Sequence, residues 1–411
     1  MESINQVHCF TIVVYAPRMS DQTNPEHSKA STNPATQIRR QNRRMLLHAL
    51  RVRGSLSRAE LARATGLTPQ AVANIISDLI AGGLVRETGR RKAPRGQPPI
   101  AIEIAGDGGY AIGIRIDDTH YHAVVADLSG SLIEMIDGPV TAKSESDWLD
   151  FIANIHAGFT ARFGVDRCLG LGLVTPGPFD VTWPGVPSPG AVPALQSRAV
   201  ADALTALTGV DIFIENDATA SALGEKLYGE AGDIDDFFYI FVGEGVGGGI
   251  VIGGEPYRGL RGNAGEFGHF IIDPAGPSCY CGNRGCLGQY LSLRAMRAFL
   301  AKAEAAGEET EAATKRWIEQ AAEALSIALA SVENLLDPEM VIIGGAVPPA
   351  FLKELIAELG DLRPSVCQAQ GRKRLRMSAL GERSAALGAS ALPILAATTA
   401  ANGLEDGPAS H

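Results

Sequence analysis

Between Gln37 and Ile104 the apolar positions fall into three short helical runs followed by two extended ones. Gln37 to Arg51 predicts a first helix, with Ile38, Met45, Leu46 and Ala49 on an apolar stripe and Arg39, Arg40, Arg43 and Arg44 on a polar one. Ser57 is placed to cap a second helix, short and Ala-rich through Ala64, and Glu60 three residues on completes a capping box. Thr65-Gly66-Leu67 makes a tight turn. Thr68 then caps a third helix, whose first position suits Pro69. Val72, Ile75, Ile76 and Leu79 repeat at the three/four spacing that faces a core, leaving Gln70, Ala73, Asn74 and Ser77 outward. After Gly82-Gly83, Leu84–Glu87 predicts one strand and Ile100–Ile104 a second.

From Tyr110 the pattern changes. Apolar runs at Ala111–Ile116, Ala123–Leu128, Leu169–Thr175, Ile212–Glu215, Phe237–Val242, Gly249–Ile252 and Met340–Ile343 predict strands. Helical runs are predicted at Ser144–Phe163, Ser197–Thr208, Ala218–Tyr228, Leu291–Ala305, Ala312–Leu336 and Ala350–Leu359. Alternating β and α elements imply an α/β fold. Two Gly-rich turns about 130 residues apart point to two lobes around a cleft.

Charge divides the chain at the same place. Residues 37–96 hold thirteen Arg/Lys against three Asp/Glu, while residues 97–411 carry a net −19 of the −10 total. A compact basic module joined to an acidic body fits a nucleic-acid binder with a second function. Helix, Gly turn and capped helix form the helix-turn-helix signature. Its third helix would enter a major groove, with Thr68 and Ala73 at the contact face. Gln70 and Asn74 are chemically able to bond bidentately to adenine. The segment between the two strands carries Arg91, Lys92, Arg95, Gly96 and Gln97, the composition of a basic wing that meets phosphates or the minor groove.

The expected organisation is a leader at 1–33, a winged helix-turn-helix at 34–104, an α/β body at 105–398 and a tail at 399–411. Met19 offers an alternative start. No apolar run reaches the roughly 18 residues that span a bilayer, and Phe10–Tyr15 lacks the flanks of a signal peptide.

Six cysteines are present, and three of them, Cys279, Cys281 and Cys286, lie within eight residues of one another. Clustering in a chain this long argues against a disulfide framework and for a reducing, cytoplasmic setting. With His269 the spacing is H-x9-C-x-C-x4-C, a donor set suited to tetrahedral Zn²⁺. Four protein ligands leave no open position, so the reading is structural rather than catalytic.

Gly265-Glu266-Phe267-Gly268-His269, the run Cys279 to Leu287, and Glu215-Asn216-Asp217-Ala218-Thr219-Ala220-Ser221-Ala222-Leu223-Gly224-Glu225 together resemble the ROK family of repressors and sugar kinases. The resemblance spans roughly residues 37–395. With the N-terminal module in place, it is to the family's regulators of xylose-repressor and N-acetylglucosamine-repressor type. It implies two actin/hexokinase-like lobes with a sugar site between them, in which Asn216, Asp217, Glu266 and His269 would bond sugar hydroxyls. His269 would face zinc through one ring nitrogen and the sugar through the other. The family's usual Glu two residues after the last Cys is here Gly288.

The alternative is an active sugar kinase carrying a DNA module. Kinases of the family open with Asp-x-Gly-Gly-Thr-Lys, where this chain has Arg115-Ile116-Asp117-Asp118-Thr119-His120. Their second phosphate loop resembles Gly-Thr-Gly-x-Gly-Gly-Gly, where this chain has Glu244 in place of the hydroxyl residue. Phosphate cradles need bare backbone N–H groups, and added carboxylates repel an anion. Gly344-Gly345, which resembles the family's adenosine turn, would be kept for the fold. ATP is therefore not expected. The chain reads as a non-enzymatic, sugar-responsive regulator that binds operator DNA as a homo-oligomer; control by a protein partner is the remaining alternative.

Overall fold

The computed structural model describes residues 34–90, 99–179, 190–367 and 374–399. The N-terminal module runs α1 (Pro34–Arg53), β1 (Leu56–Ser57), α2 (Arg58–Thr65), α3 (Pro69–Ala81), β2 (Val85–Arg90) and β3 (Ile100–Ile104), with a three-stranded sheet ordered β1-β3-β2. Both helix starts form as their sequences dictate. Ser57 Oγ accepts from Glu60 N while Glu60 Oε2 accepts from Ser57 N at 2.7 Å, closing the capping box. Thr68 Oγ1 accepts from Ala71 N at 3.2 Å, with Pro69 in the first turn. Leu46, Leu50, Leu61, Val72, Ile76, Leu79 and Ile102 form the buried core.

The stripe on α1 differs from the expectation. Ile38 and Met45 are 58 % and 37 % exposed, whereas Leu47 and Leu50 are buried. The physical reason is a second partner. The module's core continues into Ala111, Ala126, Leu128 and Ile394 of the body, so α1 is buried from two directions.

The body consists of two lobes of like topology. The first has β4 (Tyr110–Ile116), β5 (His120–Asp127), β6 (Leu132–Pro139), α4 (Glu145–Phe163), β7 (Cys168–Thr175), α5 (Arg198–Thr208) and β8 (Ile212–Asn216), followed by α6 (Asp217–Tyr228). The second has β9 (Phe237–Val242), β10 (Val246–Ile252), β11 (Glu255–Pro256), α7 (Gly288–Leu291), α8 (Leu293–Ala305), α9 (Thr310–Leu336), β12 (Met340–Gly345), α10 (Pro349–Glu358) and β13 (Leu375–Met377), followed by α11 (Ser384–Thr399). The sheets are ordered β6-β5-β4-β7-β8 and β11-β10-β9-β12-β13. In each, three antiparallel strands lead into two parallel ones. Parallel pairing needs helical crossovers, which cover the outer faces. α4 and α5 pack there on the first lobe, and α9 and α10 on the second.

α6 and α11 cross between the sheets. They pack at backbone contact, because a Cβ on Gly388 would stand 1.8 Å from Ala220 O; α11 meets β7 as closely, since one on Gly172 would stand 1.9 Å from Ala389 O. α11 was not foreseen from the pattern. It is apolar on all sides (Ala386, Ala389, Ser390, Ala391 and Ile394 are 0 % exposed), so it lacks the polar stripe that marks a surface helix. The expected helix Leu291–Ala305 is in fact two. Ser292 is extended, and its Oγ accepts from Ala295 N to cap α8.

Candidate ligand cleft, metal centre and nucleic-acid interface

On and just before α3, the helix expected to enter the major groove, Thr68, Gln70 and Asn74 are exposed and Ala73 is half-buried. Gln70 Nε2 donates to Asn74 Oδ1 at 3.0 Å, one turn apart, so the two amides present a joined edge. Thr68's hydroxyl is engaged as the cap. The wing candidates Arg91, Lys92, Arg95, Gly96 and Gln97 lie outside the described residues. Arg44, read as part of a solvated polar stripe, instead pairs with Glu255 of β11 in the second lobe. Thus α1 touches both lobes, through Ile394, Ala111 and Ala126 on one side and Glu255 on the other.

The His/Cys cluster is assembled from two short pieces. His269 ends a 3-10 turn at Phe267–His269, and the cysteines sit on a loop pinned by antiparallel bridges Ile271↔Cys286 and Ser278↔Arg284. The four donor atoms of His269, Cys279, Cys281 and Cys286 lie within 4.8 Å of one another. Cys281 Sγ and Cys286 Sγ are 3.7 Å apart, and Cys279 Sγ and His269 Nδ1 are 3.6 Å apart. A tetrahedron with metal–sulfur bonds near 2.3 Å and metal–nitrogen bonds near 2.0 Å has edges of about 3.8 Å and 3.5 Å, so the donors fit a four-coordinate ion. The cysteines are free thiols. Nδ1 is the ring nitrogen on the metal side. Nε2 does not stand open to the cleft as the resemblance implied, because Tyr280 Oη lies 2.9 Å from it and Glu266 Oε2 lies 3.9 Å from it.

Asn216, Asp217, Glu266 and His269 line one cleft, open at its mouth, between the lobes. The β8–α6 junction sets the first two. Asn216 Oδ1 caps α6 by accepting from Thr219 N at 2.8 Å, and its amide nitrogen donates to Glu215 Oε1 at 3.3 Å. Glu215 is itself buried and held by Arg258 Nε at 2.7 Å. Asn216 is therefore mainly a scaffold, with one amide hydrogen left for a ligand. Burial raises Asp217's carboxyl above its ordinary range, with Arg115 opposing and Asp117 adding to the rise. Burial and the neighbouring Asp217 push Glu266 up to about 7. Across the mouth, Asn263 bonds both backbone groups of Phe179 at 2.8 Å, tying the lobes together.

The two turns that resemble the kinases' phosphate loops both carry acids with partners of their own. Asp117 Oδ1 accepts from Thr119 N at 2.9 Å and His120 N at 2.7 Å, so it takes the backbone donors a phosphate would need. Its other oxygen pairs with buried Arg115 at 2.8 Å. Glu244 is held at both oxygens by Arg297. The expected like-charge repulsion is thus corrected: both acids are paired with arginines, and Asp117 also takes two backbone donors of its own turn. Gly344 and Gly345 have a packing reason of their own, since a Cβ at either would stand about 2 Å from Tyr239 or Val242.

Three lining residues escaped the sequence reading: Tyr280, Gln289 and Arg294. Tyr280 sits between two metal ligands, which could have drawn attention to it. Gln289 and Arg294 lie on helices α7 and α8, with no local pattern to single them out.

A model of the ROK family matches residues 111–395. The chain belongs to the ROK family. A MarR family model matches residues 40–93, across the N-terminal module. The xylose repressor of Bacillus subtilis (strain 168) is 26% identical, over 87% of this chain and 96% of its own length. The transcriptional dual regulator NagC of Escherichia coli K12 is 28% identical over 57% of this chain and 58% of its own. Among solved structures, a ROK family transcriptional regulator described as a homologue of the E. coli MLC protein superposes with TM-score 0.69 at 25% identity, covering 89% of this chain and 100% of that one. A ROK hexokinase from Thermus thermophilus superposes with TM-score 0.56 at 31% identity, covering 70% of this chain and 99% of that one. ROK-family kinases and regulators thus share the body's fold, and the match that extends into the N-terminal module is to a regulator.

Proposed function

We propose that this protein is a sugar-responsive DNA-binding transcriptional regulator, a repressor of carbohydrate uptake or catabolism genes, that binds its effector in the kinase-like cleft without phosphoryl transfer. The observation that carries the reading is the Asp117 carboxylate seated on the N–H groups of the first phosphate turn. An ATP phosphate cannot use donors already bonded at 2.7–2.9 Å. The repressor names of its relatives and the helix-turn-helix match support the same reading.

The boundaries proposed are 34–104 for the DNA module and 105–398 for the sensor. Zn²⁺ in the His269/Cys279/Cys281/Cys286 set is structural: it fixes the loop that carries Tyr280 and the orientation of the His269 ring. The regulator acts in the cytoplasm as a homo-oligomer, since two-fold half-sites are read by paired helix-turn-helix modules. Among the described residues, no helix is long and apolar enough to cross a membrane.

Effector binding couples to DNA through α1. Lobe closure changes the separation of its two anchors, the Ile394/Ala111/Ala126 cluster and the Glu255 pair. The test is selection of bound fragments from genomic DNA, followed by anisotropy with and without a panel of sugars. An operator affinity that no sugar changes at saturation refutes the sensor reading. The likeness to a hexokinase favours one second reading, an active kinase. ATP consumption measured across hexoses, N-acetylated hexosamines and pentoses decides it, and no turnover is expected.

A further inference from the structure

We infer that the effector is an anionic monosaccharide whose carboxylate or phosphate is held by Arg294. The inference rests on the carbohydrate reading above and narrows it to one charge class. Along the cleft wall, near neighbours follow in the order Asp217, Glu266, His269, Tyr280, Arg294. At one end are the carboxyls of Asp217 and Glu266, able to take part in hydroxyl hydrogen bonds. At the other end the Arg294 guanidinium lies over the Tyr280 ring, 5.7 Å from its centroid.

Two of the acids on or beside this cleft have arginine partners, whereas Asp217 and Glu266 stand at its other end. Asp117 is paired with Arg115, and Glu244 with Arg297. Among the described residues, no carboxylate lies within ion-pair distance of Arg294. A half-buried cation on a ligand cleft without a counter-ion is a place for an anion.

Gly288 lines the same cleft, and a Cβ there would meet Gly268 O at 3.3 Å. The glycine leaves room in the cleft, and a carboxylate added at this position would disfavour an anionic ligand there. Tyr280 lies within cation–π range of the guanidinium while its hydroxyl is held at His269. A planar fork so positioned is complementary to a carboxylate or a phosphate. The polarity of the cleft, hydroxyl acceptors at one end and a cation at the other, matches a sugar acid or a sugar phosphate.

The test uses calorimetric titration of the full-length, zinc-loaded protein. Probes are glucuronate, gluconate and glucose 6-phosphate, with glucose, xylose and N-acetylglucosamine as neutral comparators and inorganic phosphate as the anion alone. At least one acidic sugar should bind about ten- to a hundred-fold more tightly than the neutral sugars. Arg294→Gln should abolish that margin while leaving the affinity for neutral sugars within about three-fold. Gly288→Glu should reverse the preference. Uronate and aldonate against phosphoester then identify which anion the site takes.

Neutral sugars binding as well as acidic ones would overturn the inference and leave the carbohydrate reading standing. So would an acidic preference that survives Arg294→Gln, or inorganic phosphate binding as tightly as the sugar phosphate. Failure of every sugar to bind the folded, operator-competent protein would instead bring down the carbohydrate reading, and this inference with it.

Discussion

Cys286 is the deepest of the three knuckle thiols, with no exposed surface, so Cys286→Ser is the sharpest perturbation of the metal centre. Its sulfur forms one 3.7 Å edge of the donor tetrahedron with Cys281, and its backbone bridges to Ile271. A serine hydroxyl is a poor zinc ligand at neutral pH and shortens the reach to the ion. Metal bound only by the folded form stabilises it by RT ln(1 + [Zn]/Kd), about 4 kcal/mol at a thousand-fold excess over Kd. For a body of this size each kcal/mol moves the melting temperature by roughly 2 °C, so stripping the metal should lower it by about 8 °C. The assay pairs metal analysis of the reduced protein with thermal unfolding, with and without chelator. Wild type should carry close to one zinc per chain and lose about 8 °C on chelation. Cys286→Ser should carry little zinc, melt near the chelated wild type and ignore chelator. Effector binding should fall in both, since the loop carries Tyr280 and His269. The structural-zinc argument fails if the reduced wild type neither holds nor takes up zinc. It fails equally if complete stripping shifts neither the melting temperature nor the affinity for ligand.

Gln70→Ala and Asn74→Ala should each reduce discrimination between operator and scrambled duplex by about 1–3 kcal/mol in anisotropy titrations, and equal losses on both duplexes would contradict base reading. Ile394→Ala removes a fully buried side chain from the cluster joining the DNA module to the body. It should cost about 2–5 kcal/mol in urea unfolding and blunt the effector's influence on operator binding; an unchanged midpoint would show that the joint is not packed. Glu225, 0 % exposed, accepts from Ser378 Oγ and from Glu230 N at 2.8 Å, yet burial still raises its carboxyl above the ordinary 4.5. The folded state therefore holds this proton longer than the unfolded chain does. Stability should decline as pH climbs from 4.5 through the raised value, and Glu225→Gln should lack that decline when unfolding is followed from pH 5 to 8. Parallel pH profiles for the two proteins would contradict the burial argument.

Much of the architecture was legible because its determinants are local. Ser57 with Glu60, and Thr68 with Pro69, specify helix starts within four residues of chain. The spacing of His269 and three cysteines specifies a donor set before any fold is known. The apolar runs gave the central strands of both lobes, each buried on both faces. Legibility failed where an element answers to more than one neighbour. α1 shows a different stripe because the body buries Leu47 and Leu50 from the far side. α11 shows no stripe because it is surrounded.

The sequence by itself determined that a basic module precedes an acidic two-lobed body, that thiols and an imidazole gather at one loop, and that acids enter both turns that resemble the kinase loops. Short-range chemistry, caps, periodicity and ligand spacing carry that information. Only the tertiary structure decided what those acids do, since Asp117 bonds its own turn and Glu244 finds Arg297 fifty-three residues away. Only the structure, too, sets Arg294 beside Tyr280 and Arg44 against Glu255 of the far lobe. Charge partners are chosen by which surfaces meet, and pairs separated by tens or hundreds of residues leave no trace in local pattern.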